Sequence, residues 1–188
     1  YGEHFRAGAQ INYGSSVGHW AVRTKVIEGR SMPYIFAGKD VLKMNGATWL
    51  QTATEAQIEQ MRLLLNQGLD QGGLGIGVLL DYMTKAVSDA ELRMLFEVAS
   101  AREVPLYIHV RRGHTGDPAG LIEVIDLATE TCAALFVCHI THNAMGRIGD
   151  WLQMIDEANR AGANITTETL SYAAGGTSIS ADVFRRRD

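Results

Sequence analysis

Two hydrophobic periods alternate along most of this chain. From about residue 52 onward, a stretch with apolar residues at i, i+3 and i+4 is followed by a short continuous apolar run, and the plan repeats. The runs begin at Leu74, Pro105, Ala134 and Ala163, at spacings of 31, 29 and 29 residues. About 30 residues hold one strand and one returning helix, so the repeat predicts a parallel sheet with amphipathic helices rather than a series of hairpins. Thr52-Ala53-Thr54-Glu55 has the form of a capping box ahead of Ile58, Met61, Leu64, Leu65 and Leu69, and Gly72-Gly73 ends that stripe. Ser88-Asp89-Ala90-Glu91 repeats the device ahead of Leu92, Leu95, Phe96, Val98 and Ala99. A third stripe carries Leu121, Ile122, Ile125, Leu127 and Ala128, and a fourth carries Trp151, Leu152, Ile155 and Ala158. The first fifty residues are less regular, with a strand expected at 11–17 and then a segment of Gly, Met and single aromatics. The expected class is α/β with about five strands. A closed eight-stranded (β/α) barrel takes about 250 residues, so the chain is expected to be either a small open sheet or a piece of a barrel.

Polar residues inside the apolar runs stand out against this pattern. His109 lies in Leu106-Tyr107-Ile108-His109-Val110-Arg111 and His139 in Leu135-Phe136-Val137-Cys138-His139-Ile140-Thr141, each near the carboxyl end of its run. They are one βα unit apart. Strand alternation puts Tyr107, His109 and Arg111 on one face and His139 with Thr141 on the matching face of the next strand, Cys138 and Ile140 pointing the other way. Neighbouring strands run about 4.8 Å apart, so two imidazoles at one level can share a divalent metal, zinc foremost. Without a shared ligand each would carry its own desolvation cost. Arg111 has two readings, a grip on a substrate anion or a pair with a loop carboxylate. His142 and His114 read as loop residues, and His19 as either site wall or loop packing. Cys138 reads as a small buried hydrophobe. Glu168 and Tyr172, at the end of the last run, are placed to line a mouth. Gly72-Gly73-Leu74-Gly75-Ile76-Gly77 lacks the Gly-Lys-Ser/Thr ending of a phosphate loop and precedes a strand, so close packing explains it better.

Composition narrows the function classes. The 188 residues include 17 basic and 21 acidic side chains, a net charge of -4, and 46% are hydrophobic, which fits one globular domain over residues 1–188. No basic excess is available to neutralise phosphates, so nucleic acid is not an expected partner. No apolar run approaches the roughly 18 residues of a membrane span, and the first residues do not read as a signal peptide, so no membrane partner and a cytoplasmic location are expected. Two cysteines, Cys132 and Cys138, make no disulfide framework and are expected as reduced thiols.

Five segments together carry a resemblance: Asn12 to Arg23, Gly73-Leu74-Gly75 with Asp81-Tyr82, Tyr107 to Arg111, Cys138-His139, and Thr167-Glu168 through Tyr172-Ala173-Ala174-Gly175-Gly176-Thr177-Ser178. Their order and spacing resemble the D-aminoacylase (N-acyl-D-amino-acid deacylase) branch of the amidohydrolase superfamily. The resemblance implies a metal-bearing (β/α)8 TIM-type barrel, with His109 and His139 as zinc ligands on strands five and six. It implies hydrolysis of an amide, an N-acyl (D-)amino acid or related small molecule, by a zinc-activated water. Arg111, Thr141 and Tyr172 fall at substrate-binding positions. The pattern also departs from that family. It lacks the His-x-His of strand one, the Cys ligand of strand two and the Asp of strand eight, as though the chain held about strands three to seven, and no catalytic base is assigned. Thr141, Leu170 and Gly176 replace the Lys, Tyr and Ser often found at the substrate carboxylate. Two rival readings stay open: a non-catalytic, truncated or degenerate barrel that packs against another copy or another chain, and an unrelated open α/β binding module. An exposed sheet edge invites homo-oligomers in either barrel reading.

Overall fold

The computed structural model describes residues 14–31, 46–83 and 85–171, apart from the side chain of residue 114. Five short strands, β1 (Val17–Gly18), β2 (Ile76–Leu79), β3 (Leu106–His109), β4 (Leu135–Val137) and β5 (Ile165–Thr167), form one sheet in the order β1-β2-β3-β4-β5. Every pairing is parallel. Between them run α1 (His19–Glu28), α2 (Ala47–Leu50), α3 (Glu55–Asp70), α4 (Asp89–Ala101), α5 (Ala119–Thr131), α6 (Ile140–Ala144) and α7 (Ile148–Arg160). Of the expected strand at 11–17, Val17 is in β1 and residues 11–13 lie outside the described residues. Among the described residues no helix is long and apolar enough to cross a membrane.

Strand order separates a barrel section from a doubly wound sheet. A doubly wound sheet reverses its order at a switch point and carries helices on both faces. Here the order is strictly sequential, so crossovers of one hand lay every returning helix on the same face. Burial agrees. Ile76, Val78, Leu106, Ile108, Leu135, Val137 and Ile165 are buried in one cluster with Met61, Leu65, Leu92, Leu95, Phe96, Leu121, Val124, Trp151 and Ile155 from the helices. Burying each large side chain of this kind is worth about 1.5–3 kcal/mol. On the opposite face Gly77, Tyr107, Phe136 and Thr166 align in register across four strands and are only partly covered or exposed. The sheet is a section of a barrel wall, helices outside and the inward face open.

Local signals explain the element ends, with one slip of register. The capping box of α3 is Thr54 with Gln57, each side chain bonded to the other's backbone N–H, and not Thr52 with Glu55. Thr54 has the extended backbone that an N-cap needs, and Glu55 is already inside the helix. Of the glycines ahead of β2, Gly73 and Gly75 serve close packing. A Cβ on Gly73 would fall 2.5 Å from Val17 Cγ2, and one on Gly75, at φ +149°, would fall 2.4 Å from the Pro105 carbonyl oxygen.

Helix α1 was not expected from periodicity because its buried stripe is polar. His19, Arg23 and Thr24 are the residues it buries. His19 Nε2 lies 2.7 Å from Glu91 Oε1 on α4, and Arg23 pairs with the other oxygen of Glu91. Arg23 Nε also donates to the Thr48 carbonyl at 2.7 Å, and its Nη2 donates to the carbonyls of Gln51 and Ala86. Burial alone would raise the pKa of Glu91, but the hydrogen bond and charge of His19 and the charge of Arg23 outweigh it and hold the carboxyl below its ordinary value. Ser88 caps α4 through the Glu91 backbone N–H as expected, while the Glu91 side chain is used by this buried network.

Candidate metal centre

The carboxyl ends of β2, β3 and β4 bring together the chemistry-bearing residues. His109 is the last residue of β3, opposite Leu79 of β2, and shares the open face with Tyr107. His139 reaches the same place by a different route from the expected one. The ladder aligns Ile108 with Val137 and continues with the Cys138 N–H donating to the Ile108 carbonyl at 2.9 Å, so His139 lies one residue beyond the level of His109. The strand also stops at Val137, and Thr141 sits on α6 rather than on an extended strand. Strand alternation therefore does not place His139 or Thr141. A left-handed backbone at His139, φ 52° and ψ 47°, turns the chain and brings the imidazole back toward His109. The two ring centroids are 4.8 Å apart and nearly perpendicular, at 78°.

Several groups surround this pair. The backbone N–H of His139 donates to Glu168 Oε1 at 2.7 Å, and the same oxygen lies 2.5 Å from His139 Nδ1. The His142 ring, on α6, is 6.0 Å from that of His139, and the Tyr82 ring is 6.2 Å from that of His109. Burial, assisted by His139, Arg112 and His142 and opposed by Glu168, pushes the pKa of His109 from 6.5 down to about 4. Its imidazole is thus neutral at ordinary pH, the form that binds a metal. Beside it a polar strap crosses three strand ends: Arg112 Nη2 is 3.0 Å from Asp81 Oδ2, and Arg112 Nε donates to Asn143 Oδ1 at 3.3 Å.

The other anticipated residues are more scattered. Arg111 lies beyond the end of β3, where alternation no longer governs. Its Nε contacts Glu123 Oε2 at 2.9 Å and its Nη2 donates to the Val87 carbonyl at 2.9 Å, so the guanidinium is held by α5 and the loop before α4. Thr141 is exposed, with its hydroxyl 2.9 Å from that of Thr169. Cys138 is half-buried, and burial, with Glu168, raises its thiol pKa to about 11, which suits an inert packing residue better than a ligand. His19 belongs to the buried network of α1. Tyr172, Gly176 and the side chain of His114 lie outside the described residues.

Two imidazoles whose ring centroids lie 4.8 Å apart fit two positions of a zinc shell, but among the described residues no group of three His, Cys, Asp or Glu side chains is spaced to hold an ion. The fit is two donors and no more.

Sequence comparison finds no family model and no curated protein that matches the chain. Structure comparison does find similar folds. The N-acyl-D-glutamate deacylase of Bordetella bronchiseptica, solved with zinc and a phosphonate mimic of the reaction's tetrahedral intermediate, superposes with a TM-score of 0.71 at 24% identity over 90% of this chain. A D-aminoacylase studied for its binuclear metal centre gives 0.70 at 22% identity over 92%. This chain has the fold of part of a D-aminoacylase barrel. A further D-aminoacylase structure, described as defining a novel subset of amidohydrolases, gives 0.69 at 20% identity over 92%. The chain spans about a third of the length of each of these D-aminoacylase and deacylase structures, 33% in every case. The sequential sheet and the matched share thus agree on a section of a barrel.

Proposed function

We propose that the chain is a section of a metal-dependent amidohydrolase that deacylates an N-acyl (D-)amino acid or a related amide. The observation that carries this reading is the meeting of His109 and His139 at the carboxyl end of a barrel wall, the end where such folds build their sites. His109 and His139 would hold the ion, zinc or another divalent metal. When bound, it supplies a polarised carbonyl and a water of lowered pKa. The residues of this chain bind and orient. His109 is kept neutral by burial, His139 is turned inward by its left-handed backbone, and the Asp81–Arg112–Asn143 strap ties together the strand ends that carry them. In this reading Thr141 and Tyr172 line the substrate side, and Arg111 contributes there only if substrate draws it from Glu123.

Two imidazoles leave the ion short of ligands, and no carboxylate of the described residues is assigned as the base, which alone is worth about 10²–10⁴ in rate. The 188 residues by themselves are therefore expected to show no more than trace turnover. The test is a panel of N-acyl amino acids and related amides assayed with and without chelator, for this chain and for a protein carrying the whole barrel. Zinc-dependent turnover by the whole barrel is the expected result; silence across the panel would sink the reading. It would favour instead a non-catalytic scaffold, for which the partly exposed Tyr107 and Phe136, 5.5 Å apart on the open face, offer a surface to cover.

A further inference from the structure

Glu168 makes three contacts with the turn that carries His139. Its Oε1 accepts the His139 backbone N–H at 2.7 Å, its backbone carbonyl accepts the Ile140 N–H at 3.1 Å, and the same Oε1 lies 2.5 Å from His139 Nδ1. This turn is the one that bends the chain through a non-glycine left-handed residue, a strained conformation that persists only where its surroundings over-determine it. Glu168 supplies that over-determination. His139 Nδ1 is buried and, although close to Oε1, has no aligned hydrogen-bond partner.

We propose that Glu168 is the positioning residue of His139. Its carboxylate holds the backbone turn and takes a hydrogen bond from Nδ1–H, so that the neutral ring keeps its proton on Nδ1 and presents the Nε2 lone pair as its donor. A histidine that binds a metal through one nitrogen commonly gives the other N–H to a carboxylate, which fixes both tautomer and orientation. The metal-binding role of His139 rests on the function proposed above, whereas the clamp does not. A direct ligand role for Glu168 fits less well, because Oε1 is committed to the His139 backbone and no three-donor group exists among the described residues.

The test reads the tautomer in the metal-free chain. The ¹⁵N-labelled 188-residue protein is studied by long-range ¹H–¹⁵N correlation at about pH 8, where an ordinary imidazole is neutral. Wild-type His139 is expected to carry its proton on Nδ1. Glu168→Ala, which removes the acceptor, should move the proton toward Nε2, and Glu168→Gln, which keeps an oxygen there, should retain the wild-type tautomer. A wild-type His139 protonated on Nε2 would overturn the proposal, and needs no variant to fold. An unchanged tautomer in Glu168→Ala would also overturn it. Zinc affinity by chelator competition gives an independent readout, with a 10- to 100-fold loss expected in Glu168→Ala. A tautomer change in a chain that binds no zinc in any form would leave the clamp standing and overturn the metal-binding role of His139 in this chain.

Discussion

The described residues contain two histidine–carboxylate pairs of nearly the same length and opposite character. His19 and Glu91 meet at 2.7 Å with both side chains fully buried, and Arg23 neutralises the second carboxylate oxygen. His139 and Glu168 meet at 2.5 Å with their side chains 38% and 33% exposed. The first pair is sealed between α1 and α4, and its partners are carbonyls and charges of the protein itself. The second stands where the open face of the sheet meets the strand ends, beside a second imidazole. A buried network of this kind fixes how helices dock, since removal of any member strands a charge out of water. An open pair contributes little to stability and leaves its donors free to act on something else. Contact distance does not separate structure from site here; what surrounds the pair does.

The largest expected effect is on stability. Glu91→Ala leaves Arg23 buried without its carboxylate and should cost about 3–5 kcal/mol in urea unfolding. Glu168→Ala should cost about 1 kcal/mol. The reverse order would break the contrast between the pairs. Acid should discriminate them next. The folded pKa of Glu91 lies below its ordinary 4.5, so this carboxyl stabilises the fold above that value, and the contribution is lost as pH falls through the lower, folded value. Stability measured against pH should therefore drop below about pH 4.5 in the wild type and drop less in Glu91→Gln; parallel curves would remove Glu91 from the account. The smallest effect is at the cap. Ser88→Ala removes the acceptor for the Glu91 N–H and should cost about 1 kcal/mol by the same assay, whereas no loss would mean that the buried network alone holds the start of α4.

Much of this was legible in the sequence, for reasons that differ from residue to residue. The near-30-residue period marks β2 to β5 and their helices because each unit must bury one apolar stripe on one sheet face. The same period led to His109 and His139. The route to His139 was not legible, because alternation holds only while the chain stays extended and the chain leaves the strand at Val137. Glu168 was noticed as a mouth residue, but its hold on His139 depends on a turn that no local pattern shows. The His19–Arg23–Glu91 network was missed for another reason. Glu91 follows a good N-cap and reads as half of a capping box, while its true partners lie about seventy residues earlier. One signal was available: His19 and Arg23 stand four apart, on one face of a segment with no apolar stripe, so that face needed a buried anion.

The central claim is that the open pair, and not the sealed one, is a metal site. Zinc titration against a chromophoric chelator tests it most directly, on the wild type, His109→Ala/His139→Ala, and His19→Gln as a control for the sealed pair. The account predicts one weakly held ion per wild-type chain, the same stoichiometry in folded His19→Gln, and none in the double variant. Unchanged zinc binding when both His109 and His139 are replaced would contradict it.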